Sequence, residues 1–190
     1  MTQPILPPGA SIIGDFLPER AGGRLLDWVD SSEWRSDLKR RVQHYGWRYD
    51  YRERRVTPAM RLGPLPDWLV PVSEAVSALP EFPDRIDQVI VNEYLPGQGI
   101  SAHVDCEPCF GPAVASLSLG GRTEMLFRCR QTGEQLGHVL EPLSLLILSG
   151  QARYDWTHEI PARKSDLVDG LRRPRARRVS LTFRTVSLQA

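Results

Sequence analysis

Apolar residues along this chain change their spacing near residue 87. Before it, two stretches repeat at helical intervals. Ala21, Leu25, Trp28 and Val29 make a stripe on a helix opened by Pro18 and running to about Ser31. Trp68, Leu69, Val72, Ala75, Val76 and Leu79 make another over 66–79, with Pro71 confined to an early turn and Pro80 and Pro83 closing it. Between these helices, from Arg40 to Arg55, the aromatics Tyr45, Trp47, Tyr49 and Tyr51 alternate, which is the period of a strand or hairpin. Residues 1–14 read as an extended lead-in. Beyond Asp87, short apolar or alternating runs at 88–94, 113–119, 123–128, 143–149, 154–160 and 176–186 are separated by Gly, Pro and polar residues. No helical pattern intervenes, so this half predicts a β-sandwich or double-sheet jelly roll rather than a parallel α/β sheet.

With 190 residues and an ordinary mix of apolar and charged side chains, one domain spanning 1–190 is expected, divided at about residue 86 into an N-terminal part and a β core. The sequence holds no apolar stretch long enough for a bilayer, and its first residues lack the basic and hydrophobic regions of a signal peptide, so a cytoplasmic protein with no membrane partner is expected. Nothing in the pattern calls for an oligomer, and a monomer is the expectation. Cys106, Cys109 and Cys129 are too few for a disulfide framework and are expected as thiols; Cys106 and Cys109 alternatively form a metal-binding or redox Cys-x-x-Cys.

A net charge of +1 does not by itself announce a nucleic-acid partner, but its distribution does. Residues 33–55 interleave Arg35, Lys39, Arg40, Arg41, Arg48, Arg52, Arg54 and Arg55 with five aromatics. Cations for phosphates and ring faces for bases are what single-stranded nucleic acid requires; a solvated amphipathic segment is the competing reading. Arg172, Arg173, Arg175, Arg177 and Arg178 make a second basic cluster.

The strongest chemistry lies over 92–105. The run 88–91 leads in as a buried strand, Pro96-Gly97-Gln98-Gly99 turns the chain, and a second extended piece carries His103 and Asp105. Two residues apart in a strand, they project from one face and can offer a nitrogen and an oxygen to one metal ion; Asn92 and Tyr94 share a face in the same way. His158 supplies a third candidate ligand, and two His with one carboxylate leave open positions, as in non-haem Fe(II) oxygenases. Near the C-terminus, Arg178, Ser180, Thr182 and Arg184 face one side of a strand, and Val179, Leu181 and Phe183 the other. Two guanidiniums inside a β core require anions, and a dicarboxylate co-substrate would supply them.

In this order, Asn-x-Tyr-x-x-Gly, His-x-Asp, Ser-Gly-x-x-Arg-Tyr before a distal His, and Arg-Val-Ser-Leu-Thr-Phe-Arg resemble the AlkB family over residues 40 to 186. The runs 40–47, 96–100 and 153–158 are most similar to its tRNA-acting animal branch. The resemblance implies a mainly β protein with N-terminal helices, a double-stranded β-helix at about 87–190, and a nucleotide-recognition lid within about 1–86. It implies Fe(II) on His103, Asp105 and His158, and 2-oxoglutarate on Arg184 and Arg178 with help from Asn92 and Tyr94. O2 is the oxidant. A base would lie between Trp47 and His103, with Tyr49 and Tyr51 as alternative lid aromatics and Glu107 nearby.

The activity so implied is oxidative demethylation of N-alkylated bases in DNA or RNA, in a single strand or loop, including tRNA. An N-methyl group, once hydroxylated, collapses to formaldehyde; a carbon with no nitrogen leaving group keeps its hydroxyl. Two other readings stand beside this one: a hydroxylase of a modified tRNA base, a protein side chain or a small molecule, and a non-enzymatic β-domain that binds nucleic acid.

Overall fold

A computed structural model describes residues 6–36, 38–168 and 170–188; the first five residues of the expected lead-in lie outside that range. In chain order the elements are strand β1 (Ala10–Ile13), helix α1 (Glu19–Ser31), β2 (Val42–Tyr45), helix α2 (Val70–Ser77), β3 (Gln88–Tyr94), β4 (Ile100–His103), β5 (Ala113–Gly120), β6 (Thr123–Cys129), β7 (Gln135–Leu140), β8 (Leu145–Ser149), helix α3 (Gly150–Tyr154), β9 (Trp156–Ile160), β10 (Ser165–Val168), β11 (Leu171–Pro174) and β12 (Arg178–Arg184).

A six-stranded sheet runs β1-β8-β5-β12-β3-β2 and a four-stranded sheet runs β4-β9-β6-β7, while β10 and β11 pair as a separate hairpin. From β3 to β9 the chain passes back and forth between the sheets, and every adjacent pair in the larger one is antiparallel. This is the jelly-roll arrangement of a double-stranded β-helix.

Strand alternation explains how the core and the site come from the same residues. On β12, Val179, Leu181 and Phe183 join a buried cluster with Leu25 and Val29 of α1, Val72 and Val76 of α2, and Val89 and Val91 of β3. The intervening Arg178, Ser180, Thr182 and Arg184 line a cavity on the other face, as do Ile90, Asn92 and Tyr94 of β3. The helices therefore cover one face of the larger sheet. A second cluster, containing Met125, Phe127, Leu146, Leu148 and Trp156, fills the jelly-roll interior beyond the cavity. Where both faces of a strand meet apolar clusters, as in β8, the sequence reads as a continuous apolar run, Leu145-Leu146-Ile147-Leu148.

Several elements depart from expectation. Regular helix begins at Val70 rather than 66, with Pro71 in the first turn, where its missing N–H leaves no bond broken. The run expected as strand over 154–160 starts inside α3 and becomes strand at Trp156. β7 and the β10–β11 hairpin were not anticipated: β11 is exposed throughout, so no buried face imposes an alternation. The aromatic alternation over 45–51 does not make one face. Gly46 sits at φ +76°, where a Cβ would lie 1.8 Å from the Asp87 carbonyl oxygen, and the chain changes direction there.

Candidate active site

The site is assembled where β4 meets β9. A Cβ on Gly99 would lie 2.1 Å from the Ile160 carbonyl oxygen, so only glycine lets β4 approach so closely. A register shift follows Ile100↔Ile160 and leaves His103 directly opposite His158. Their ring centroids are 4.3 Å apart. Asp105 lies just beyond the end of β4. Candidate ligand atoms of His103, Asp105 and His158 all fall within 4.8 Å of one another, the one such metal-holding group among the described residues. His44 and His138 are not in it.

Hydrogen bonds orient these ligands. His103 Nδ1 lies 2.8 Å from the Ser101 carbonyl oxygen, so Nδ1 carries the proton and Nε2 is left as a donor to metal. His158 Nε2 is 3.6 Å from Asp105 Oδ2, while Asp105 Oδ1 accepts from Arg184 Nη2. Burial alone would raise the Asp105 carboxyl, but Arg184, His158, His103 and Arg153 outweigh it and hold the group far below the usual carboxylate range. Burial, followed by the neighbouring His103, pushes His158 down to about 3, so its imidazole is neutral at physiological pH. A carboxylate oxygen and two imidazole nitrogens form the donor set that suits Fe(II).

Behind this group lies a cavity of about 580 Å³. Arg178, 2 % exposed, donates from Nε and Nη2 to Ser118 Oγ at 3.3 and 2.8 Å and lies 5.5 Å from the Tyr94 ring centroid. Among the described residues it has no carboxylate partner. Burial lowers its pKa to about 10, which leaves it charged at neutral pH. Arg184 Nε is also buried without a partner. One cation near the metal group and another deeper in the cavity fit a dicarboxylate whose two ends are held separately.

Tyr49 and Tyr51 line the cavity, edge to face at 5.0 Å. Burial raises the Tyr51 phenol to about 12, and its hydroxyl has no partner. Trp47 does not line the cavity. After the bend at Gly46 its Nε1 donates to Asp87 Oδ2 at 3.0 Å and Arg61 lies over its ring, so Trp47 is held away from the cavity rather than placed opposite His103. Glu107 also lies outside the cavity lining, exposed and 3.5 Å from Arg130 Nη1. Cys106 and Cys109 are not thiols: with Cα atoms 5.3 Å apart they are joined in a disulfide, while Cys129 is free.

Two supporting arginines escaped sequence reasoning. Arg153 of α3 is buried and donates to the carbonyl oxygens of Asp105 and Cys106 at 2.9 and 3.3 Å, fixing the backbone that carries the carboxylate ligand. Arg40 donates to Asn92 Oδ1 at 2.9 Å and lies over the Tyr94 and Tyr51 rings. The Arg-Tyr pair before Asp155 marked the first as part of a motif; nothing distinguished Arg40 from its basic neighbours.

Comparison with known proteins agrees with this geometry. Residues 26–184 match the family described as the 2OG-Fe(II) oxygenase superfamily. The chain belongs to that superfamily. Its relatives place it more narrowly. The Danio rerio "Probable RNA/DNA demethylase ALKBH6" is 31% identical over 209 residues, covering 95% of this chain and 86% of that protein. The Arabidopsis thaliana "Alkylated DNA repair protein ALKBH8 homolog" is 38% identical over 202 residues, covering 94% of this chain but 58% of that protein. The solved structure of OsALKBH1 superposes with a TM-score of 0.69 at 20% identity, covering 95% of this chain and 98% of that one, and so shares the fold. This is an AlkB-family dioxygenase, and its family chemistry uses Fe(II), 2-oxoglutarate and O2. Among the described residues, no helix is long and apolar enough to cross a membrane.

Proposed function

We propose that this dioxygenase removes alkyl groups oxidatively from bases of single-stranded or looped DNA or RNA. The observation that carries the reading is the cavity lining: Tyr49 and Tyr51 share it with His103 and Asp105, and Lys39, Arg40 and Arg54 line the same cavity. Ring faces stack a base and cations hold its phosphates, and an unpaired base reaches such a pocket without the cost of leaving a duplex. Segment 47–56 is the lid in this reading, with Tyr49 or Tyr51 in the stacking role. The names of the zebrafish and Arabidopsis relatives support nucleic acid as the substrate class.

His103, Asp105 and His158 would hold Fe(II), and the bound metal with 2-oxoglutarate and O2 supplies oxidation of a C–H bond. The chain does the rest. Asp105 stays anionic beside Arg184, the His158 imidazole stays neutral, and Arg153 fixes the backbone beneath the carboxylate. Arg178, oriented by Ser118, takes the distal carboxylate, and Arg184 the end nearer the metal. Asn92 already accepts from Arg40 through Oδ1, which leaves its amide N–H groups for the co-substrate. Tyr94 lines the same cavity, with the Arg40 and Arg178 guanidiniums 5.8 and 5.5 Å from its ring centroid.

The test is succinate release and product mass with Fe(II), 2-oxoglutarate and ascorbate, against single-stranded DNA and RNA oligomers carrying N-methyl lesions and against modified tRNA. Substrate-dependent succinate with loss of a methyl group is expected. Retention of an added oxygen would make the enzyme a hydroxylase instead, and slow succinate equally with and without every oligomer would move the substrate outside nucleic acid.

A further inference from the structure

Immediately after the Asp105 ligand, the chain makes a turn closed by Cys109 N–H donating to the Cys106 carbonyl oxygen at 3.3 Å. The disulfide of that turn lies against segment 47–56. Cys106 Sγ is 3.1 Å, and Cys109 Sγ 3.4 Å, from the carbonyl oxygen of Arg54. Arg54 is held at φ +50°, a region non-glycine residues rarely adopt, and its Nη2 donates to the Val104 carbonyl oxygen at 2.9 Å. The two cysteines form one buried cluster with Phe110, and Tyr49, Val56 and Val186 pack against it, so the pair is part of the platform beneath a cavity-lining tyrosine.

We propose that Cys106 and Cys109 form a reversible thiol–disulfide site that takes a small-molecule thiol as its reductant and sets how firmly the lid is tied to the metal-binding strand. The proposal rests on segment 47–56 being the lid. In the disulfide neither sulfur carries a hydrogen, so the Arg54 oxygen meets two sulfurs that cannot donate. In the dithiol each sulfur is an S–H donor already aimed at that oxygen, and two hydrogen bonds tie the lid down. Arg153, anchored on the carbonyls of Asp105 and Cys106, holds the metal-side end of the turn still, so the change is passed to the lid rather than to the ligand.

The exchange balances with glutathione as the thiol. A glutathione thiolate attacks one cysteine sulfur and the Cys106–Cys109 bond breaks with its electron pair leaving on the other sulfur; a second glutathione thiolate then attacks the glutathione sulfur of the mixed disulfide, and the first cysteine leaves as its thiolate. Two glutathione thiols become one glutathione disulfide, and their two protons end on Cys106 and Cys109. Oxidation is the reverse, with glutathione disulfide as the oxidant. Both sulfurs are buried beneath the lid, so exchange requires the lid to open.

Hydrogen–deuterium exchange over 48–56, measured on metal-free protein equilibrated at a series of glutathione ratios, tests this without turnover. Alkylation after acid quench counts thiols in the same samples. Two cysteines, located at 106 and 109, are expected to change state together while Cys129 is alkylated throughout. Lid amides are expected to exchange about 5-fold more slowly in the reduced protein, the effect of roughly one net hydrogen bond. Cys106→Ser/Cys109→Ser, whose hydroxyls donate permanently, should match the reduced protein at every ratio, and Cys106→Ala/Cys109→Ala the oxidised one. Should the alanine pair fold poorly, the wild-type and serine comparisons decide. The proposal is overturned if the pair keeps one state at all ratios, or if lid exchange is the same in both states. Either result leaves the demethylase assay untouched, and absence of demethylation leaves this measurement untouched.

Discussion

Arg175 and Arg178 lie three residues apart, and both are buried, at 9% and 2% exposure. Arg175 donates from Nε and Nη2 to the two oxygens of Asp166, both at 2.7 Å, and from Nη1 to the Pro161 carbonyl oxygen at 2.7 Å. Asp166 in turn accepts from Arg163 and from the Glu124 N–H. Arg178 has one serine hydroxyl and the face of a tyrosine. A buried cation is tolerated when its donors meet carboxylate oxygens, and it is costly otherwise. The first arginine completes its own environment and fastens the base of the β10–β11 hairpin; the second is left with donors to spare, as the proposed co-substrate role requires.

The comparison can be broken first at Asp166. Asp166→Ala leaves Arg175 and Arg163 without their shared carboxylate, and urea unfolding at pH 7 is expected to show a loss of about 3–5 kcal/mol. A loss below about 1 kcal/mol would mean that the pair is no tighter than a surface ion pair. Arg178→Met strands no carboxylate, so stability should change little, while affinity for 2-oxoglutarate, titrated with Mn(II) present, falls by about 30- to 150-fold, the worth of a charge-assisted contact. If stability fell as far as in Asp166→Ala, Arg178 would be structural after all.

The same contrast appears as linkage. Saturating wild-type protein with Mn(II) and 2-oxoglutarate, at about 100 times Kd, should raise unfolding free energy by about 2.7 kcal/mol, an increment reduced in Arg178→Met and preserved in Lys164→Ala outside the cavity. The smallest effect is a pH dependence. Burial would raise Asp166, but Arg175, Arg163 and the Glu124 N–H outweigh it, and the folded pKa is lowered. Its stabilisation is therefore complete above the ordinary carboxylate range and is lost as pH falls through the lowered value. The gap between wild type and Asp166→Ala should be full at pH 7 and narrow in acid; a gap unchanged down to pH 2 would contradict the pairing.

Where a residue's environment is set by strand alternation, the sequence disclosed it. Val179, Leu181 and Phe183 had to face away from Arg178 and Arg184, and the structure places them so. His103 and Asp105 were expected together on one strand; they do meet with His158, although the strand ends at His103 and Asp105 comes from the residues just after it. Trp47 shows the limit. Its period matched Tyr49 and Tyr51, but one left-handed glycine redirected it to Asp87. The Cys106–Cys109 bond was illegible for a different reason: spacing shows that two sulfurs can meet, not whether they are oxidised. Strand alternation set Arg178 apart from the basic run, but Arg175 stayed indistinguishable within it, because its partner Asp166 is brought near only by the hairpin.

β4 is four residues long, lies at the rim of its sheet and is joined to β9 through an interrupted register. An ion gripping His103 on one strand and His158 on the other would act as a rivet between them. Loading with iron then does more than equip the enzyme for chemistry. It would seal a frayed margin whose unpaired backbone is otherwise open to pairing with a neighbouring chain, so that iron starvation would show itself as clumping as well as lost turnover.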